Sequence, residues 1–131
     1  MCPNTENFVT CEQAVKLKEL GFDWECNFWY HPKEGDNLYP SGMYNNHNTS
    51  KIGISAPTLS QAQKWLREVK QIYLFVDRAG GPNGMGYYWY ITDSEGNSRK
   101  VSFSPFDSFE EALSSGIDKA LELLKDNNNG K

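Results

Sequence analysis

Three stretches of the chain repeat apolar residues at helical spacing, and each begins with a Ser or Thr three residues before a Gln or Glu. These pairs are Thr10 with Gln13, Thr58 with Gln61, and Ser108 with Glu111. The spacing is typical of a capping box, in which both side chains satisfy backbone N–H groups left unpaired by the first helical turn. We therefore predict helices over about residues 11–20, 59–70 and 109–124. Gly21 suits the left-handed conformation that closes a helix.

Apolar and polar residues alternate between the second and third of these helices. Three such runs, residues 72–78, 86–92 and 98–103, are separated by short segments that contain glycine. Connections of this kind join antiparallel neighbours, so we predict a three-stranded meander. The predicted fold class is α+β: an N-terminal helix and an aromatic strand or lid, then a helix, the meander and a final helix.

The alternation also assigns side chains to two faces of the meander. The face that the second and third helices would cover takes Ile72, Leu74, Val76, Tyr87, Trp89, Ile91, Val101 and Phe103. The opposite face takes Tyr73, Phe75, Tyr88, Tyr90, Lys100 and Ser102. An aromatic surface of this size calls for a cover or a ligand. The candidate cover is an aromatic segment that contains Trp24, Phe28, Trp29 and Tyr30.

The length of 131 residues suits one domain, and a 14% aromatic share argues against disorder. We expect a single α+β domain over residues 1–125 and a flexible tail over residues 126–131. Residues 32–51 are rich in Asn, Gly and Pro and show no period. Irregular segments of this length are usually functional or disordered.

The expected compartment is the cytoplasm. The N-terminus lacks a basic segment followed by an apolar one, and no run of about 18 apolar residues occurs. The three cysteines are odd in number and confined to the first fifth of the chain, which is a poor disulfide framework. The net charge of −4 lowers the expectation of a nucleic-acid partner, because such proteins normally need Lys and Arg to displace phosphate counterions.

Candidates for metal binding or catalysis are few. Four side chains that zinc could use are Cys11, Cys26, His31 and His47. Zinc ligands usually come in close pairs, and only Cys26 and His31 are near neighbours. The glycine cluster at residues 80–86 lacks the Lys and Ser/Thr of a phosphate-binding loop and leads into a strand, which favours a hairpin. We predict no catalytic residue, metal or cofactor, and favour a protein that is not an enzyme.

Several short segments have distinctive sequences: SAPTL at residues 55–59, KWLREV at 64–69 and DSFEEA at 107–112, with CEQA at 11–14 and GFD at 21–23. Together they resemble an uncharacterised family of small proteins from gut Bacteroidetes, their phages and mobile elements. The resemblance implies a bacterial or phage cytoplasmic origin. It carries over no catalytic residue.

The function that we expect is protein interaction, as an accessory protein that binds a partner or forms a homodimer. The predicted binding residues are Trp29, Tyr30, Tyr39, Met43 and Tyr44. The alternative is single-stranded nucleic-acid binding, in which bases stack on the second face of the meander. That face would use Tyr73, Phe75, Tyr88, Tyr90 and Lys100.

Overall fold

The structure is a computed structural model that describes residues 7–31, 37–40, 53–81, 83–96 and 98–129, apart from the side chains of residues 98, 99 and 126–129. Within these residues it contains three helices and two three-stranded antiparallel sheets, which confirms the mixed α+β class. The predicted order of elements is wrong, because the chain builds a second sheet ahead of the meander. Two compact units are present, Met1–Gln61 and Ala62–Lys131.

The N-terminal unit contains one helix and a small sheet. Its elements are α1 (Cys11–Glu19), β1 (Phe28–Tyr30), β2 (Leu38–Pro40) and β3 (Ile54–Ser55), and α2 (Leu59–Val69) begins in it. The sheet has the order β2–β1–β3 and is antiparallel throughout. The sequence predicts only one aromatic strand or lid here, because strands of two or three residues are too short to show an alternation. Strand β2 lies inside the segment predicted to be irregular.

Helix α1 begins and ends at or next to the residues that the sequence predicts, through local hydrogen bonds and one glycine. The Thr10 hydroxyl accepts the Gln13 N–H at 3.1 Å, and the Gln13 side-chain oxygen accepts the Thr10 N–H at 2.8 Å. At the other end Gly21 has a φ of +97°. The Phe22 N–H then donates to the Leu17 carbonyl at 2.9 Å, which completes a Schellman closure with both side chains buried.

Helix α2 has the same start and a different end. Thr58 and Gln61 exchange the two bonds of a capping box, at 2.9 and 3.1 Å. The buried side chains of the helix are Leu59, Ala62, Trp65 and Leu66. Val69, which helical spacing places in the same stripe, is 49% exposed. Gln71 follows with a φ of +59°, a left-handed conformation that a side chain disfavours.

The C-terminal unit is a sheet with a helix on one face. It contains α2 from Ala62 onward, followed by β4 (Tyr73–Gly81), β5 (Gly84–Thr92), β6 (Ser98–Val101) and α3 (Phe109–Asn129). The sheet has the order β4–β5–β6. Helix α3 lies so close to it that a Cβ at Gly116 would be 2.5 Å from Leu74 Cδ1 and 3.2 Å from Trp89 Cγ. The helix continues five residues beyond its predicted end near Leu124.

Strand β6 presents its side chains on faces opposite to those predicted. Thr92 pairs with Ser98, but Ile91 pairs with Lys100, so the strand contains one extra residue at position 99. A shift of one residue transfers every later side chain to the other face. Lys100 therefore lies on the face covered by α3, together with the buried Ser102.

The same bulge removes two apolar residues from the predicted core. Val101 lies opposite Tyr90 and is 52% exposed, and Phe103 is 79% exposed. The core assignment of these two residues is wrong, as is the assignment of Lys100 and Ser102 to the opposite face. Leu74, Trp89 and Ile91 are buried as predicted, because β4 and β5 pair without interruption. On these two strands the alternation assigns the faces correctly.

Candidate binding surfaces

Two of the five predicted binding residues form a cluster on the N-terminal sheet. Trp29 of β1 lies directly opposite Tyr39 of β2, with ring centroids 5.4 Å apart. The ring of His31 lies 6.0 Å from that of Trp29. All three side chains are half-buried, and we call them the β1–β2 aromatic cluster. Cross-strand aromatic pairs stabilise small sheets, so the cluster has a structural role whether or not it binds a partner.

Tyr30, a third predicted binding residue, does not join this cluster. Tyr30 points to the opposite side of β1, is 3% exposed, and donates its O–H to the Val9 carbonyl at 2.6 Å. It therefore belongs to the core and is not available as a surface anchor. Met43 and Tyr44 lie outside the described residues.

Cys26 is a packing residue whose environment disfavours the thiolate form. Its side chain is buried, and its Sγ donates weakly to the Trp24 carbonyl at 3.5 Å. Burial raises the pKa of the Cys26 thiol from 9.0 to about 12, because desolvation penalises the thiolate. Nucleophiles and metal ligands need the thiolate form. In the described part of the chain no three His, Cys, Asp or Glu residues are grouped so as to hold a metal ion.

The second candidate surface is the sheet face turned away from α3. Phe75, Tyr90 and Val101 stand opposite one another on β4, β5 and β6, so they form one row across all three strands. Phe75 is 50% exposed, and Tyr90 is partly exposed. Tyr73 precedes Phe75 on the same face and is also partly exposed. We call these four residues the open sheet face.

Two residues of the predicted nucleic-acid face are missing from the open sheet face. Tyr88 has the right register but is buried, and its O–H donates to the Gly84 carbonyl at 2.6 Å. Lys100 lies on the α3 side because of the bulge in β6. Among the described side chains of this face the charged one is Asp77, which pairs with Tyr88. Apart from Asp77, the described aromatic and apolar side chains dominate this face, and Lys100, the cation that base stacking was expected to use, is not among them.

A third candidate surface lies where the chain leaves β6. Ser102 bonds to Trp89 through its backbone N–H, and Tyr87 exchanges two backbone bonds with Phe106. On β5 a single residue lies between Trp89 and Tyr87. On the opposing segment three residues, 103–105, lie between their partners. Those three residues therefore loop outward and carry Phe103 into solvent.

This loop forms one wall of a groove with a volume of about 390 Å³, and α3 forms the other. We call it the Phe103 groove. Its lining includes Trp89, Lys100, Ser102, Phe103, Ser115 and Lys119. The sequence carries one signal near this site: Pro105 has no N–H to donate to a ladder, which agrees with the interruption of pairing between Ser102 and Phe106.

Gly86 explains how the loop returns to β5. A Cβ at this position would lie 2.5 Å from Pro105 Cβ and 3.0 Å from the Phe106 carbonyl oxygen. A glycine inside a strand often marks such a close approach of another backbone. The absence of a side chain at Gly86 therefore allows Pro105 and Phe106 to approach β5 closely.

The longest helix, α3, has 21 residues. No helix among the described residues combines the length and the apolar character that a membrane crossing requires. No protein-family model, curated protein or solved structure matches this chain. The resemblance to small proteins of gut Bacteroidetes and their phages thus stays a prediction, and function has to be argued from the surfaces described above.

Proposed function

We propose that this protein is a non-enzymatic interaction protein that binds another protein chain through the open sheet face. The observation that carries the proposal is the row formed by Phe75, Tyr90 and Val101, whose outer members are about half exposed. Exposed apolar side chains that are contiguous across several strands mark protein contact sites. Aromatic enrichment and depletion of charge are typical of the centre of such interfaces.

The charge on this face favours a protein partner over a nucleic acid. Single-stranded nucleic acids are bound by aromatic rings bordered by cations, which neutralise the phosphates. The described charge here is the carboxylate of Asp77, and Lys100 faces the other way. The aromatic rings of this face suit the bases of a nucleic acid, but the Asp77 carboxylate would repel its phosphates.

The partner to which we commit is a second copy of the chain. Two-fold pairing places the same patch against itself, so an apolar row at its centre is complementary to its own copy. The net charge of −4 opposes association in general, but the centre of this face contributes none of that charge. The interface would then be stabilised mainly by burial of Phe75 and Val101.

Sedimentation equilibrium of the wild-type chain and two variants tests this proposal. We expect a dimer that dissociates on dilution, and we expect Phe75→Lys to abolish it, because a desolvated lysine at the centre of an apolar interface has no partner. Met85→Lys is the matched control, since Met85 is also an exposed apolar residue of the same sheet but lies outside the open sheet face. A wild-type chain that is monomeric throughout, or a Phe75→Lys variant that still dimerises, would overturn the proposal.

A further inference from the structure

The Phe103 groove has the size and chemistry of a small-molecule site. Its volume of about 390 Å³ falls within the range of pockets that hold small ligands. It lies between the segment after β6 and helix α3, so its two walls come from separate elements; Ser102 and Ser115, for example, are 13 residues apart in sequence. The groove borders the open sheet face at Val101, which lines both surfaces, but Trp89 and Lys100 belong to the opposite side of the sheet.

The polar groups of the groove are arranged as donors. The backbone N–H of Trp89 donates to Ser102 Oγ at 3.1 Å, and its indole N–H donates to Ser115 Oγ at 3.2 Å. Both hydroxyl oxygens therefore already accept a hydrogen bond, and each retains its O–H proton as a donor. One tryptophan thus holds both serines in the lining of the same groove.

Two ammonium groups add positive charge to these donors. Lys100 comes from β6 and Lys119 from α3, and the described lining includes no Asp or Glu. Lys119 has an exposed neighbour in Glu122 at 3.3 Å, whereas no ion pair links Lys100 to another described residue. A local charge of this sign is notable in a chain whose net charge is −4. Ammonium and hydroxyl donors around one groove favour an anion with several acceptor oxygens, such as a phosphate.

Aromatic rings complete the chemistry of the groove. Phe103 contributes little to the core, because the outward loop holds most of its ring in solvent. Phe106 also lines the groove and is partly exposed. Exposed aromatic faces beside a charged site offer a stacking surface to a flat ring. Strand irregularities of this kind are common next to binding sites, where they re-aim a side chain.

We propose that the Phe103 groove binds a small phosphate monoester that carries a flat ring, with Lys100 and Lys119 at the phosphate and Phe103 against the ring. A nucleoside monophosphate and a phosphorylated tyrosine share this chemistry. The proposal does not depend on dimerisation through the open sheet face. The two can therefore fail independently.

Amide NMR titrations of the full chain with adenosine 5′-monophosphate, O-phosphotyrosine, inorganic phosphate and adenosine test the site. We expect at least one of the two ring-bearing phosphates to shift amide signals of residues that line the groove, more strongly than phosphate or adenosine alone. Preference for one of them identifies the source of the ligand. A failure of both to shift these signals, or shifts confined to other parts of the chain, would overturn the proposal.

Three variants separate the roles of the groove residues. Lys100→Gln and Lys119→Gln should each weaken binding of the preferred probe about tenfold, the value of one charge-assisted hydrogen bond. Lys125→Gln is the control, because this lysine is exposed on the same helix and lies outside the groove. Phe103→Leu should weaken the ring-bearing probe and leave inorganic phosphate unaffected. Equal losses from all three lysine substitutions would show non-specific attraction and refute the site.

Discussion

Replacing Gly116 with alanine tests how tightly α3 packs on the sheet. In a helix that faces solvent this change stabilises the folded state by about 1 kcal/mol, because alanine has the higher helix propensity. At Gly116 the added Cβ would lie 2.5 Å from Leu74 Cδ1 and 3.2 Å from both Cβ and Cγ of Trp89. Carbon atoms prefer separations of about 3.5–4.0 Å, so the neighbours have to move.

The two effects differ enough in size to predict the sign. Leu74 and Trp89 are both buried, which leaves them little room to yield. Overpacking of this kind costs about 1–3 kcal/mol, and the close contact with the Trp89 ring places the site in the upper half of that range. After subtraction of the gain in propensity, Gly116→Ala should lower the free energy of unfolding by about 1–2 kcal/mol.

Urea unfolding of five variants, one of them the Leu74→Ala/Gly116→Ala double variant, measures both contributions. The exposed Asp118 provides the propensity reference two residues along the same helix: Asp118→Ala should be more stable than Asp118→Gly by about 1 kcal/mol. Leu74→Ala removes the nearest obstructing atom. In that background Gly116→Ala should cost less, with a coupling free energy of about 1 kcal/mol or more.

Two results would refute this reasoning. One is a Gly116→Ala variant that is stabilised as much as the comparison at Asp118 predicts. The other is a cost that stays the same in the Leu74→Ala background, which would show that the added methyl group meets no obstruction from that side chain.

Three further predictions concern the core and one helix end. Burial raises the pKa of the Cys26 thiol to about 12, so the folded chain keeps a proton on this thiol that the unfolded chain loses above pH 9. The free energy of unfolding should therefore fall with rising pH, by about 1.4 kcal/mol between about pH 8 and 10 from this group alone. Urea unfolding at both pH values should show a shallower fall for Cys26→Ala, and identical falls would contradict the assignment. Tyr30→Phe should lose about 1–3 kcal/mol in thermal or urea unfolding, because the buried Val9 carbonyl loses its 2.6 Å donor. The exposed O–H of Tyr73 makes a hydrogen bond of 3.3 Å, so Tyr73→Phe should change the free energy of unfolding by no more than about 0.5 kcal/mol. Equal losses in the two variants would contradict a special role for the buried bond of Tyr30. Gln71 has a φ of +59°, which strains a residue with a side chain, so Gln71→Gly should raise the free energy of unfolding by about 0.5–1 kcal/mol. A loss of stability would show that the strain at Gln71 is already compensated.

The helix starts could be predicted from the sequence because their cause is local. A hydroxyl residue and a glutamine three positions apart are enough to make the caps at Thr10 and Thr58, and both boxes are present in the structure. The closing role of Gly21 follows from its lack of a side chain, and its φ confirms it. None of these features depends on a distant part of the chain.

The candidate sites could not be predicted in the same way, because register is a property of two strands together. A single extra residue at position 99 decides whether Lys100 accompanies Tyr90 or Ile91. Nothing in the alternation of β6 itself reveals that residue. The small N-terminal sheet is a second example, since pairing of β1 with β3 joins Trp29 to Ser55 across 26 positions of sequence.

Two irregularities of the segment from β6 to α3 create both proposed surfaces, and each carries a cost in folding. The bulge at position 99 turns Val101 to the exposed face of the sheet, and the outward loop exposes Phe103. Full burial of an apolar side chain of this size contributes about 1.5–3 kcal/mol, so leaving Val101 half exposed and Phe103 mostly exposed forgoes part of that stabilisation. A sequence under selection for folding alone has no reason to keep such a course. The same bulge completes the row on the open sheet face and delivers Lys100 to the groove, which is the pattern expected where function, and not packing, has set the local structure.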